Sequence, residues 1–192
     1  DEALAGFCTT ITTCLNEDGS VTIHDNGRGI PVDKHEKTWK SALETVFTVL
    51  HAGGKFDKGA YKISWGLHGV GASVVNALSE RLEVTVYKNW KKYFQRYQRG
   101  IPDDEIKEIG ESDKLGTTVK FKPDPMIFET VEFCQPIEIG RMKQSAYLSP
   151  GITFNFVNKK TGFKQRFYFE WGIKTRLKNL VGTQMALSSQ HY

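Results

Sequence analysis

The chain has 192 residues, 39% of them hydrophobic and 25% charged, which is the size and balance of a folded domain with a real core rather than a disordered segment. Its net charge of +4 is mildly basic; it permits a nucleic-acid neighbour without arguing for one. No apolar run approaches the ~20 residues of a membrane-spanning helix. Cys8, Cys14 and Cys134 are odd in number and lack CxxC spacing, and the five histidines are scattered, so neither a disulfide framework nor a zinc site is expected. This fits a reducing, cytoplasmic setting.

In chain order, DEALAG reads as the tail of a helix with Gly6 as its stop, as if the chain began inside its first helix. Phe7 to Leu15 is rich in Thr, Ile and Cys and predicts a strand. Asn16 to Ser20 is a turn, and Val21 to His24 pairs back as a hairpin. Next comes DNGRGIPVD, residues 25–33. SALETVFTVL, residues 41–50, places Leu43, Val46, Phe47 and Leu50 on one helical face. HAGGKFDKGAYK, residues 51–62, has no apolar period and reads as a long loop. GLHGVG, residues 66–71, opens a helix over 72–79. A hairpin is expected for 82–87 and 91–97, a strand for 117–122 and a helix for 134–148. A second hairpin (152–157 with 163–169) and a short basic helix (172–180) follow. Strands and helices are grouped, not strictly alternating. The expected class is α+β: a two-layer sandwich of a mostly antiparallel, mixed sheet with helices on one face.

Four stretches could carry chemistry. DNGRGIPVD is either ordinary Asx-turn chemistry or a binding edge, where Asp25 offers a carboxylate and Gly27 and Gly29 leave the backbone bare. GLHGVG is either a tight turn or an anion site at a helix start. It is not a Walker A motif, because no Lys-Ser/Thr follows its last glycine, and its order is GxxGxG, not GxGxxG. Leu115-Gly116-Thr117-Thr118 is a strand start whose hydroxyls could reach a base edge, although Thr is also simply a good strand former. Lys55 in HAGGK is either a solvated lysine or a point charge over phosphates.

The order of these stretches resembles the Bergerat (GHKL) ATP-binding fold. The longer strings DEALAG, DNGRGIPVD, SALETVFTVLHAGGKFD, GLHGVGASVVNALSE and GTTVKFKPD are similar to the ATPase domains of type IIA DNA topoisomerases of the gyrase B family. Topoisomerase IV is the near relative. The resemblance covers residues 1–180, leaving 181–192 as an extension toward a next domain. It implies binding of ATP with Mg2+, and ATP-driven clamp closure coupled to DNA strand passage and negative supercoiling. In that family the partners are DNA, gyrase A and a second copy of the chain.

It also implies roles residue by residue. Asp25 would accept the adenine amino group and Thr117 would complete that contact. Gly29 would line the adenine pocket, with Arg28 and Pro31 at its rim. Gly53, Gly54, Lys55 and Tyr61 would belong to the lid. Leu67, His68, Gly69, Val70 and Gly71 would wrap the triphosphate. The family's general-base Glu and Mg2+-ligand Asn would lie upstream of Asp1, so this stretch by itself is expected to hydrolyse ATP negligibly, and Glu2 is not that base.

Two other functions share features of the sequence. A histidine kinase catalytic domain has the same fold but different strings. A direct DNA-binding module would use the Lys/Arg cluster at 159–178, from which weak or no DNA binding is expected. The four tryptophans, Trp39, Trp65, Trp90 and Trp171, stand where the resembled sequences commonly carry glycine. Asn89-Trp90 in a hairpin turn would be strained, because both turn residues need positive φ. Either these are UGA codons of an organism that reads UGA as glycine, which is the expectation, or they are four real tryptophans of a divergent paralogue, whose lid and phosphate loop would then be altered.

Overall fold

The computed structural model describes residues 2, 3, 5–34, 40–50 and 69–177. Among them are strands β1 (Thr10–Leu15), β2 (Val21–Asp25), β3 (Ser79–Lys88), β4 (Lys91–Gln98), β5 (Ile101–Pro102), β6 (Lys107–Glu111), β7 (Gly116–Pro123), β8 (Thr153–Asn158) and β9 (Lys164–Phe167). Helices are α1 (Ala42–Thr48), α2 (Gly71–Ala77) and α3 (Gln135–Leu148). Residues 173–177 are also helical. The strands form one sheet in the order β5-β4-β3-β7-β2-β1-β8-β9, with β6 also on β4. Among the described strands only the β1–β8 pairing is parallel. The expected α+β class, a mostly antiparallel mixed sheet with helices on one face, is the class observed.

Register shows why the helices share a face. Val21 pairs with Phe121, and Phe121 with Leu82, so all three point to the same side. Val21 belongs to a buried cluster with Leu15, Phe154, Phe156 and Phe167, covered by Met142 and Ala146 of α3. Leu82 belongs to another, with Val84, Val86 and Tyr97, covered by Leu43 and Phe47 of α1. Phe121 packs against both. The opposite face carries the alternate residues, among them Thr12, Thr22, His24, Thr118 and Thr85, and is polar.

Local chemistry sets the element ends. Ser41 caps α1, its side chain accepting from the Glu44 amide at 3.0 Å. Asn76 of α2 is fully buried and donates to the Phe47 carbonyl at 2.9 Å, fastening α2 to the end of α1. Asp124 is buried, accepts from the Met126 amide and pairs with Arg99, which holds its carboxyl below the ordinary range.

The differences from the sequence expectation are local. Residues 2, 3, 5 and 6 lie in turns rather than a helix tail, and Phe7 and Cys8 donate to the Glu2 carbonyl before β1 starts. Helix α2 stops at Ala77, because Ser79 already opens β3. The short strands β5 and β6 were not expected; β6 is exposed along its whole length and so carries no alternating pattern. Cys8, Cys14 and Cys134 are free thiols. Among the described residues no helix is long and apolar enough to cross a membrane.

Candidate functional site

The described part of the site is built where β2 and β7 end together. Asp25 is the last residue of β2 and pairs with Thr117, the second residue of β7. β2 stops there because Asn26 turns its side chain back onto β1. Its Oδ1 accepts from the Thr9 and Thr10 amides, both at 2.9 Å, and its Nδ2 donates to the Thr9 hydroxyl at 2.8 Å. Those amides lie at the start of β1, so Asn26 closes the sheet where a further ladder bond would otherwise be needed. Sequence reasoning treated Asn26 as turn chemistry and missed this clamp.

The Asp25 side chain is half-buried, and its Oδ1 accepts from the Gly27 amide at 2.9 Å. Burial pushes its carboxyl above the ordinary aspartate range. The Gly27 amide, the His24 ring and the Thr117 amide pull the other way, and Glu2 adds to the rise. The net effect is a carboxylate partly removed from water, with desolvation outweighing its nearby donors. Thr117 is buried, and its hydroxyl accepts from the Ile30 amide at 3.2 Å, tying the 25–33 loop to β7. Beside it, the Thr118 hydroxyl meets His24 Nδ1 at 2.9 Å on the opposite face.

Two glycines make this convergence possible. Gly29 has φ +77°, and a Cβ there would press on the Tyr87 carbonyl and the Val86 side chain, at 2.9 and 3.0 Å. Gly116 has φ +122°, and a Cβ there would overlap the Asp25 carbonyl oxygen. The bare backbone therefore serves the close approach of protein strands at the site. Sequence reasoning valued Thr117 and gave Gly116 no role of its own; the signal for it was the glycine placed immediately before a strand.

Arg28 is engaged by Glu2. Its Nε and Nη2 donate to the Glu2 carboxylate at 3.1 and 2.9 Å, its backbone amide donates to the same group at 2.9 Å, and its guanidinium lies 3.7 Å over the Phe7 ring. Glu2 is thus an anchor for the loop. Pro31 is exposed, and Ile30 and Val32 pack against the Leu82–Val84–Val86 cluster.

Gly69, Val70 and Gly71 lead into α2, and Val70 caps it without a side-chain hydrogen bond. Gly69 has φ +59°, and a Cβ at Gly71 would face open space. Ala72, in the first turn of α2, packs against the same cluster as Ile30 and Val32, so one core supports both glycine strings. Gly53, Gly54, Lys55, Tyr61, Leu67 and His68 lie outside the described residues, as do Trp39, Trp65 and the stretch 178–192. Among the described residues, no group of three or more His, Cys, Asp or Glu could hold a metal ion.

The chain matches the family described as histidine kinase-, DNA gyrase B- and HSP90-like ATPases. The match covers residues 2–127, and the chain belongs to that family. Within it, the chain is 56% identical over 187 residues to the DNA gyrase B protein of Thermotoga maritima, and 52% identical over 196 residues to that of Archaeoglobus fulgidus. These matches cover 97% and 100% of the chain but only 29% and 31% of those relatives. It also superposes on the 43K ATPase domain of Thermus thermophilus gyrase B in complex with an aminocoumarin. The TM-score is 0.82 at 40% identity, over 94% of this chain and 45% of that one.

Proposed function

We propose that this chain is the ATP-binding part of a DNA gyrase B protein, and that the whole protein couples ATP binding and hydrolysis to DNA strand passage with a gyrase A partner and a second copy of itself. The observation that carries the reading is the Asp25–Thr117 pair. A carboxylate is held at a strand end, partly out of water, with its neighbouring hydroxyl committed to the backbone of the same loop.

In the proposed complex, the Asp25 carboxylate accepts from the exocyclic amine of adenine, and Thr117 and Gly29 flank the base. Arg28 and Pro31 form the outer rim, and the Arg28–Glu2 pair fixes the shape of that rim. Gly69, Val70 and Gly71 meet the phosphates, together with Leu67 and His68. Gly53, Gly54, Lys55 and Tyr61 lie in the segment assigned to the lid. An ionised carboxylate can only accept, so a purine without the amine leaves it buried and unpaired. The family resemblance implies Mg2+; among the described residues no group of three or more His, Cys, Asp or Glu forms a ligand set for it.

The reading is tested by comparing triphosphates that differ only at the base. The chain is expected to bind a non-hydrolysable adenosine triphosphate analogue at least ~10-fold more tightly than the inosine counterpart, since losing a partner to a buried charged acceptor costs about 1.5–3 kcal/mol. Equal affinities would remove Asp25 from the base edge.

A further inference from the structure

Charge is unevenly placed along this chain. Residues 134–177 contain eight lysines and arginines but only two acids, Glu138 and Glu170, a local excess of six against +4 for the whole sequence. Four of these cations sit on one structural unit, the β8–β9 hairpin at the edge of the sheet. Lys159 and Lys160 lie in its turn, and Lys164 and Arg166 lie on β9. All four are exposed. Among the described residues none of them pairs with a carboxylate. Elsewhere on the sheet, Arg81, Lys91, Arg96, Lys120 and Lys122 are each matched to an acid, while Lys88 donates to the Gly29 carbonyl and Lys92 lies over the Tyr87 ring.

The register gives Lys164 and Arg166 a common direction. Lys164 pairs with Val157 and Arg166 with Asn155, while Phe154 and Phe156 point into the core, so Lys164 and Arg166 project from the face opposite the one that α1 and α3 cover. Across that face, the row from Arg166 runs through Asn155, Thr12, His24, Thr118 and Thr85. It is a line of hydroxyl, amide and imidazole groups with a guanidinium at its end. Arg166 is steadied by donating to the Thr153 hydroxyl at 3.3 Å. Lys164 and Arg166, two residues apart on β9, are separated by ~6.8 Å along the strand.

We infer that the outer face of the β8–β9 hairpin is a docking surface for the phosphate backbone of duplex DNA, with Lys159, Lys160, Lys164 and Arg166 as the phosphate contacts and the polar row beside them as hydrogen-bonding ground. The contact is independent of base sequence, because hydroxyls and cations on a flat sheet face reach phosphates and not groove edges. It replaces the expectation of weak or no DNA binding drawn from the sequence, where this cluster looked like a solvated charge run. The choice of DNA over other polyanions rests on the proposed gyrase reading; the presence of a polyanion site rests on the unpaired cations alone.

The experiment is a titration of a labelled 30-base-pair duplex with the whole chain over a series of salt concentrations. The variant carries Lys159→Glu, Lys160→Glu, Lys164→Glu and Arg166→Glu together, and a second variant carries glutamine at the same positions. Four phosphate contacts correspond to a slope of log affinity on log salt of about −3.6. The expected result is that slope for the parent chain, a clearly shallower one for the glutamine variant, and loss of at least ~10-fold in affinity at low salt for the glutamate variant. Affinity for an ATP analogue should be the same in all three, which shows the fold intact and separates this surface from the nucleotide site. Identical slopes for parent and variants, no salt-dependent DNA binding by the parent, or binding to phosphatidylserine vesicles without binding to DNA would each overturn the inference.

Discussion

Asp25 and Gly116 stand so close that a single methyl group on Gly116 would overlap the Asp25 carbonyl oxygen. The carboxylate at the end of β2 is therefore placed by a glycine at the start of β7. Gly116→Ala combines this overlap with a φ of +122° that L-residues rarely adopt. Overpacking costs ~1–3 kcal/mol and a disallowed backbone a further ~1–3 kcal/mol. The midpoint of urea unfolding should fall accordingly. A variant as stable as the parent would mean the strands do not approach as described.

Asp25 itself should be a stability liability. Its carboxyl is raised above the ordinary range by burial, so its contribution to stability is fully present below the unfolded-state value, about 3.9, and is lost as pH rises through the folded-state value. Asp25→Asn keeps an acceptor for the Gly27 amide and removes the buried charge. The variant should be more stable than the parent at pH 7, with the advantage shrinking toward zero near pH ~3, below the unfolded-state value, and should bind an ATP analogue poorly. Unfolding curves at several pH values check this; an advantage that grows on acidification would contradict it.

The turn of the β3–β4 hairpin should improve when its tryptophan is removed. Asn89 and Trp90 have φ +54° and +63°, and the Trp90 side chain is 75% exposed, so its indole gains little from burial. The left-handed conformation costs a non-glycine residue ~1–2 kcal/mol. Trp90→Gly should raise stability by about 1 kcal/mol in urea unfolding. This strain is what glycine at position 90 would relieve. An unchanged or lower midpoint would show that the indole makes a compensating contact.

Asn76 should matter more than its place in an apolar helix suggests. It is fully buried, it donates to the Phe47 carbonyl, and its Oδ1 has no partner among the described residues. Asn76→Ala strips the last turn of α1 of that donor, at a cost of ~1–3 kcal/mol. Thermal unfolding measures it, and a neutral substitution would remove Asn76 as the fastening between α1 and α2.

Much of this architecture was legible in the sequence because period and turn chemistry agree. The hairpin of β1 and β2, helix α1, and the β3–β4 and β8–β9 hairpins all lie close to where patterning placed them. What was not legible depended on partners distant in sequence. Asn26 reaches Thr9 and Thr10, Gly116 makes room for Asp25, and Glu2 grips Arg28 across 26 positions. β6 was missed because a strand exposed on both faces has no apolar alternation, and β5 because two residues carry no period. For the site, the sequence singled out Asp25 and Thr117, and the register makes them neighbours. It read Asn26 only as turn chemistry and gave Gly116 no role, because a clamp or a close approach has no motif of its own.

The most direct measurement is calorimetric titration with a non-hydrolysable ATP analogue, using the chain and its Trp65→Gly form, each with and without Asp25→Ala. Binding should weaken at least ~10-fold on Asp25→Ala, the loss of a charge-assisted hydrogen bond in a partly buried site. Equal affinity with and without the Asp25 carboxylate would contradict its placement at the adenine edge.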